Sequence, residues 1–398
     1  MARAQVDLGQ LLVEPFDVLR RLRTEGPLAD VVDSGMVAVL RYEDARAALA
    51  DRRFHANFVD FLTSFGVISG PFFDWMAGSP LNRDGAEHHR WRALMNRTFT
   101  PRSVERLRPF LQQAAHGLID AFAARGQCEF VREFSDVFPS LGLSELIGVP
   151  ADDRERFTAW ANTIGLGFSP LVSMHIAQVD AASVELLAYA GELAAARRTD
   201  PRDDLVTRIA AAAAEEGWTD AEVRGSIAGL VFAGHDTTKS QLGWMISVLA
   251  AHADLWDAVA SQSVPAAAVV EEVLRYRSSV AGLGRTASEP AEAAGCPFAA
   301  GQRIFVSLWS ANQDEGTFPH PESVDPAQSQ GAPHLAFGYG PHHCLGAALA
   351  RAELQEALAA LTARLECPCV GADAEWRPPI GLNGPVRLPL HFKVRETR

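Results

Sequence analysis

Three textures of apolar and polar positions follow one another along the chain. In "VVDSGMVAVL" (residues 31–40), short apolar runs flank an Asp-Ser-Gly turn and predict two short strands. From about Arg41 to Tyr276 the apolar spacing is helical, with breaks near Pro71, Pro101, Pro150 and Pro201. "PADDRERFTAWA" and "WTDAEVRGSIAG" carry helix-start signals, with acidic residues in the first turn. After Tyr276, "FAAGQRIFVSLWSANQD" and "PVRLPLHFKV" predict strands joined by glycine and proline turns, and helical patterning returns after Cys344. No internal repeat or low-complexity tail is present, and the 210–214 alanine run favours helix. The pattern predicts a mainly α protein with small β-sheets.

One segment sets the scale of the fold. Residues from Glu222 to about His252 contain no proline and predict a helix of roughly 45 Å at about 1.5 Å per residue. It is apolar nearly all round, which places it through the centre of the molecule. His235, Asp236, Thr237, Thr238 and Lys239 interrupt that helix and exclude a membrane span. No other window approaches the ~18 uninterrupted apolar residues a span needs.

Composition narrows the classes. At 398 residues the chain suits two domains or one enzyme-sized unit. With 48% hydrophobic and 21% charged residues, it reads as an ordinary folded soluble protein. A net charge of −13 argues against nucleic acid and anionic membranes as partners. The N-terminal "MARAQVDLGQLLVEPFDVL" lacks the apolar core of a signal peptide, because Asp7, Glu14 and Asp17 interrupt it. Five scattered cysteines argue against a disulfide framework. Together these predict a reducing, cytoplasmic location.

The candidate chemistry gathers in "HLAFGYGPHHCLGAALAR" (residues 334–351). A zinc site needs about four ligands, usually as two close pairs. His342, His343 and Cys344 have no complementary pair, and the Cys367-Pro-Cys369 spacing is too tight. A nucleophilic thiol would want a base and an oxyanion hole that the spacing does not suggest. A haem-thiolate site explains more. Glycines at 338, 340 and 346 would let a flat macrocycle lie against the backbone. Cys344 would sit at a helix N-terminus, where the dipole and free N–H groups favour thiolate. Those amides would also tune the iron, and Phe337 can shield the sulfur.

"FGYGPHHCLG" (residues 337–346) resembles the haem-binding signature of the cytochrome P450 superfamily at every defined position. Three further stretches agree in order and spacing, and the resemblance covers nearly the whole chain. "AGHDTT" (residues 233–238) resembles the oxygen-activation segment, in which small Ala233 and Gly234 make room for dioxygen. Asp236 and Thr237 there supply an acid–alcohol pair that delivers protons. The alternative is that Thr237 bonds back to the Ala233 carbonyl and bends the helix. "EEVLRY" carries Glu272 and Arg275, the family's buried structural ion pair behind the haem. His88 and Arg92 in "AEHHRWR", Arg285 in "GLGRTASE", and His342 stand where the family grips the haem propionates.

Two departures stand out. "PESV" has Ser323 and Val324 where the family pattern continues with Arg-Phe, so the Glu-x-x-Arg pair lacks its usual third partner. Ser279 stands where proline often follows that helix.

The resemblance implies a triangular helical prism with the haem between the long central helix and the cysteine-loop helix, as one catalytic domain, residues 1–398. It implies haem b with Cys344 as axial thiolate, and a monooxygenase (EC 1.14) that hydroxylates or epoxidises an apolar or aromatic molecule of secondary metabolism. Electrons would come from a ferredoxin and its reductase, docking on a local basic patch at Arg90, Arg97 and Arg102, with Arg92 included if it does not face a propionate. Substrate contacts are expected from "FVDFLTSFGVISGPFFDWMAG" (residues 58–78), notably Phe72, Phe73 and Trp75, with Met76 in the same cluster. Leu230, Val280, Leu283 and Leu382 complete the expected lining, with Gly282 beside them. A peroxide-driven peroxygenase and a haem sensor or carrier are the competing readings. Neither needs the acid–alcohol pair.

Overall fold

Thr219 starts the longest helix. In the computed structural model, which describes residues 3–328 and 331–395, its side chain accepts a hydrogen bond from the Glu222 N–H. The Glu222 carboxylate accepts one back from the Thr219 N–H at 2.8 Å, which closes a capping box. The helix then runs unbroken over Asp220–Ala250. The expectation that residues 235–239 interrupt it is corrected here. They break the apolar pattern but not the backbone, because His235, Asp236, Thr238 and Lys239 are buried against polar partners on neighbouring elements.

Around this axis pack helices Val137–Ile147, Arg154–Gly165, Val172–Thr199 and Ala347–Arg364. Their apolar faces form one large core cluster with the central helix. The prolines punctuate as expected. Pro71 and Pro101 occupy first helical turns, where a missing N–H costs nothing, and Pro201 separates Val172–Thr199 from Leu205–Glu215.

The hairpin read at residues 31–40 pairs Leu28–Val31 with Met36–Val39, antiparallel, inside a six-stranded sheet. Its order is Ala4–Val6, Leu28–Val31, Met36–Val39, Arg303–Ser307, Gly282–Ala287 and Phe54–Ala56. Leu283 lies opposite Val306 and Arg285 opposite Ile304, and this register sets the strand that carries both candidate site residues. A smaller sheet joins Leu365–Val370, Pro389–Val394 and Gln127–Glu129. Among the described residues, no helix is long and apolar enough to cross a membrane.

Candidate active site

The segment holding Cys344 is a turn built on two left-handed glycines, Gly338 (φ 69°) and Gly340 (φ 72°). The Cys344 N–H donates to the Phe337 carbonyl at 2.9 Å, and Gly346 caps the helix Ala347–Arg364. The glycines also serve close packing: a Cβ on Gly340 would lie 2.7 Å from the Leu49 carbonyl oxygen, and one on Gly338 would lie 3.3 Å from Leu283. A Cβ on Gly346 would meet only the Cys344 sulfur, at 3.9 Å.

Cys344 is partly buried, and this burial pushes its thiol above the ordinary value. The Gly346 N–H and the charges of Arg92 and Arg351 act the other way without prevailing. The helix terminus alone does not ionise this sulfur. A cation bound at the sulfur would.

A cationic cluster lies beside it. His88 is buried with its ring centroid 4.1 Å from that of His342. Burial and the neighbouring His342 push it down to about 4, so it is neutral at pH 7. His342 Nε2 lies 2.8 Å from Asp84 Oδ1. Arg285 is buried and donates to the Gly284 carbonyl at 2.8 Å; burial pushes its pKa down to about 10. Among the described residues, neither Arg92 nor Arg285 has a carboxylate within 4.0 Å. Arg285 is buried and Arg92 half-buried, and a guanidinium taken out of water without an anionic partner is costly. The donor set therefore fits the two propionates of a haem, with a cysteine sulfur to hold the iron.

On the central helix, Ala233 is exposed and Thr237 half-buried, whereas Phe232, His235, Asp236 and Thr238 beside them are buried. Thr237 Oγ1 donates to the Ala233 carbonyl at 2.9 Å, the back-bond weighed as an alternative. The helix nonetheless stays continuous. A Cβ on Gly234 would meet Leu143 at 3.0 Å, so this glycine serves the contact with helix Val137–Ile147. Asp236 is fully buried and paired with both ends of the Arg377 guanidinium, at 2.7 and 2.9 Å. Arg377 had no signal in the sequence, since it lies 141 residues from its partner in an irregular stretch. Behind it, Lys239 Nζ donates to Asp136 at 2.8 Å and to Asn162 at 2.7 Å.

The expected substrate wall divides. Phe72 is fully buried against Gly167 and Phe168, and Trp75 Nε1 donates to the Gly225 carbonyl at 3.2 Å, so both are packed core. Val280 bridges Leu382 in an isolated antiparallel pair, and Leu283 packs on Gly338. Phe73 and Leu230 are partly buried at the edge of the main core. Sequence reasoning did not single out a ladder of rings in which Phe168 stacks between Phe58 (4.4 Å) and Phe232 (3.9 Å), next to Ala233.

The missing third partner of Glu272 and Arg275 is replaced by backbone. Arg275 donates twice to Glu272, at 2.9 and 2.6 Å, and once each to the carbonyls of Asn312, Pro321 and Ser323. All five guanidinium N–H groups are thus used. Glu272 also accepts from the Asp325 N–H at 2.9 Å.

A single-cysteine loop beside a propionate-type cationic cluster, against a helix carrying an acid and an alcohol, defines a haem-thiolate oxygenase. Comparison with known proteins agrees. Residues 266–393 match the family model "Cytochrome P450". The chain is 33% identical over 356 residues to luteothin monooxygenase of Streptomyces thioluteus, covering 89% of this chain and 87% of that one. It is 33% identical over 359 residues to mycinamicin IV hydroxylase/epoxidase of Micromonospora griseorubida, covering 88% of each. Cytochrome P450 CYP109Q5 from Chondromyces apiculatus superposes with a TM-score of 0.89 at 29% identity, over 100% of both chains. The chain belongs to the cytochrome P450 superfamily, and it is a monooxygenase.

Proposed function

We propose that this chain, acting as one catalytic unit, binds haem b through Cys344 and hydroxylates or epoxidises an apolar or aromatic small molecule in secondary-metabolite biosynthesis. The observation that carries the cofactor reading is the pair of guanidinium groups, half-buried Arg92 and buried Arg285, lacking carboxylate partners beside a partly buried cysteine. The names of the relatives, among them an N-oxygenase and a polyketide-biosynthesis P450, support oxidation of elaborated natural products.

When bound, the haem supplies dioxygen binding and reductive activation, with thiolate donation favouring O–O cleavage. The chain's residues do the rest. His342 and His88, with Arg92 and Arg285, hold the propionate edge. Thr237 uses its proton on the Ala233 carbonyl, which leaves its oxygen lone pairs to accept at the open side of the helix. Arg377 holds both Asp236 carboxylate oxygens, so proton delivery by Asp236 requires that pair to loosen. Val280, Leu283 and Leu382 offer apolar contact to substrate.

Electrons come from a ferredoxin and its reductase in the cytoplasm. Arg90 is bound to Glu222 and Arg97 to Glu216, which leaves Arg102 as the unpaired member of the expected docking set among the described residues. The peroxygenase and carrier readings are tested together with this one. Product formed with electron donors and oxygen supports the proposal; product formed only with peroxide, or none with a spectrally bound ligand, overturns it.

A further inference from the structure

We infer that Glu271, acting through Arg351, is a positioning residue that sets how strongly the Cys344 sulfur donates electrons. The inference rests on the haem-thiolate reading above and concerns residues that reading leaves unused.

Glu271 and Glu272 are neighbours on helix Ala266–Tyr276 but serve different partners. Glu272 turns to Arg275, whereas Glu271 reaches across to Arg351 on the helix that follows Cys344. Arg351 donates from Nε and Nη2 to the two Glu271 oxygens, at 2.7 and 2.9 Å. His334 flanks the pair, with Nε2 3.2 Å from Glu271 Oε2 but without a well-formed hydrogen bond to it. Its Nδ1 accepts from the Ala336 N–H at 3.2 Å, which places the imidazole proton on Nε2, toward the carboxylate.

This clamp fixes the guanidinium plane 4.5 Å over the Phe337 ring. Phe337 in turn accepts the Cys344 N–H on its carbonyl, so the stacked residue is part of the loop that holds the sulfur. Arg351 stands on the helix that follows Cys344 and lies against the residue whose carbonyl holds the Cys344 N–H, so its charge belongs to the same loop as the sulfur. A bidentate pair holds a planar cation in one orientation, which a lysine could not reproduce. Glu271 therefore does two things at once. It orients Arg351 on the ring, and it cancels part of the positive charge that Arg351 brings to the sulfur.

The sign follows from electrostatics. Adding an electron next to the sulfur is favoured by nearby positive charge and opposed by negative charge. Removing the Glu271 charge leaves Arg351 uncompensated, weakens donation by the sulfur and favours the reduced form. Removing Arg351 does the opposite.

The test is the reduction potential of the substrate-free holoprotein, read by spectral titration against redox dyes, with the thiolate carbon monoxide band recorded for every variant. Glu271→Gln is expected to shift the one-electron equilibrium at least threefold toward the reduced form, on a scale where tenfold is about 59 mV. Arg351→Gln is expected to shift it at least threefold the other way, and the double variant to return close to wild type. Arg364→Gln, which breaks an ion pair with Asp120 near the far end of the same helix, should leave it unmoved. Unchanged potentials in both clamp variants overturn the inference, as do shifts in the same direction, which a merely structural clamp would give. Should Glu271→Gln lose haem, Arg351→Gln decides alone, and a potential equal to or above wild type overturns it. A wild-type protein without the thiolate band would instead sink the parent reading.

Discussion

Glu353 is wholly buried on the cysteine-loop helix, and neither carboxyl oxygen has a well-formed hydrogen bond. Burial raises its pKa well above the carboxylate range, with the Thr238 hydroxyl only partly opposing this. The folded protein therefore keeps this proton to higher pH than the unfolded chain does. Below the unfolded value near 4.5 both states are protonated and nothing is lost. As pH rises from there toward the folded value, only the unfolded chain ionises, so this group's stabilising contribution falls away at about 1.4 kcal/mol per pH unit. Glu353→Gln, which keeps the neutral shape, is expected to raise the thermal midpoint at pH 8 and leave it nearly unchanged at pH 4. Equal effects at both pH values would contradict this. Asp236 presents the opposite case, a buried carboxylate satisfied by Arg377. Asp236→Asn should retain haem and substrate binding while diverting electrons to peroxide or water, as measured by product formed per electron consumed. Full coupling would make the pair purely structural. The type and place of Asp236 were legible because a charge inside an apolar helix demands a reason. Its partner was not, because nothing local in sequence ties it to a residue 141 positions away.

At the scale of elements, the helix Ala266–Tyr276 is tied to the stretch from Asn312 to Asp325 chiefly through Arg275, with Glu272 accepting from the Asp325 N–H. Taking away one member of a fully buried pair costs about 3–5 kcal/mol, because the other charge is stranded. Arg275→Ala should accordingly give mostly haem-free, poorly folded protein, measured by haem occupancy and urea midpoint. Ser323→Arg, by contrast, should do little. The Ser323 side chain is exposed, and its carbonyl already fills the role that a third side chain plays elsewhere in the family. An exposed substitution of this kind changes stability by about 0.5 kcal/mol or less. A marked gain in the midpoint would show that the backbone substitute is inadequate. The long helix, its start at Thr219 and the breaks at prolines were readable from periodicity and capping chemistry. The roles of Gly234 and Gly340 were not, because a glycine marks close approach without saying what approaches. Leu143 and the Leu49 carbonyl are the answers here.

For the whole molecule, a net charge of −13 must be reconciled with docking of the small acidic ferredoxin proposed as electron donor. Two of the expected docking arginines are neutralised within the chain by Glu222 and Glu216, which concentrates steering on Arg102. Electron transfer should slow as salt rises, since exposed charges are screened over ~8–10 Å at moderate ionic strength. Arg102→Glu should slow it more than Arg97→Glu, and a rate indifferent to salt and to Arg102 would exclude this face. The architecture as a whole was readable because its long buried helix and its cysteine loop carry dense local signals. The aromatic ladder Phe58–Phe168–Phe232 escaped notice because it is assembled from three distant segments. Everything proposed for this molecule depends on the sulfur of Cys344. The most direct measurement is the absorption spectrum of the purified, reduced protein under carbon monoxide, for wild type and Cys344→Ser. The red-shifted band of thiolate ligation should be present in the first and absent in the second, and its survival in Cys344→Ser would contradict the account.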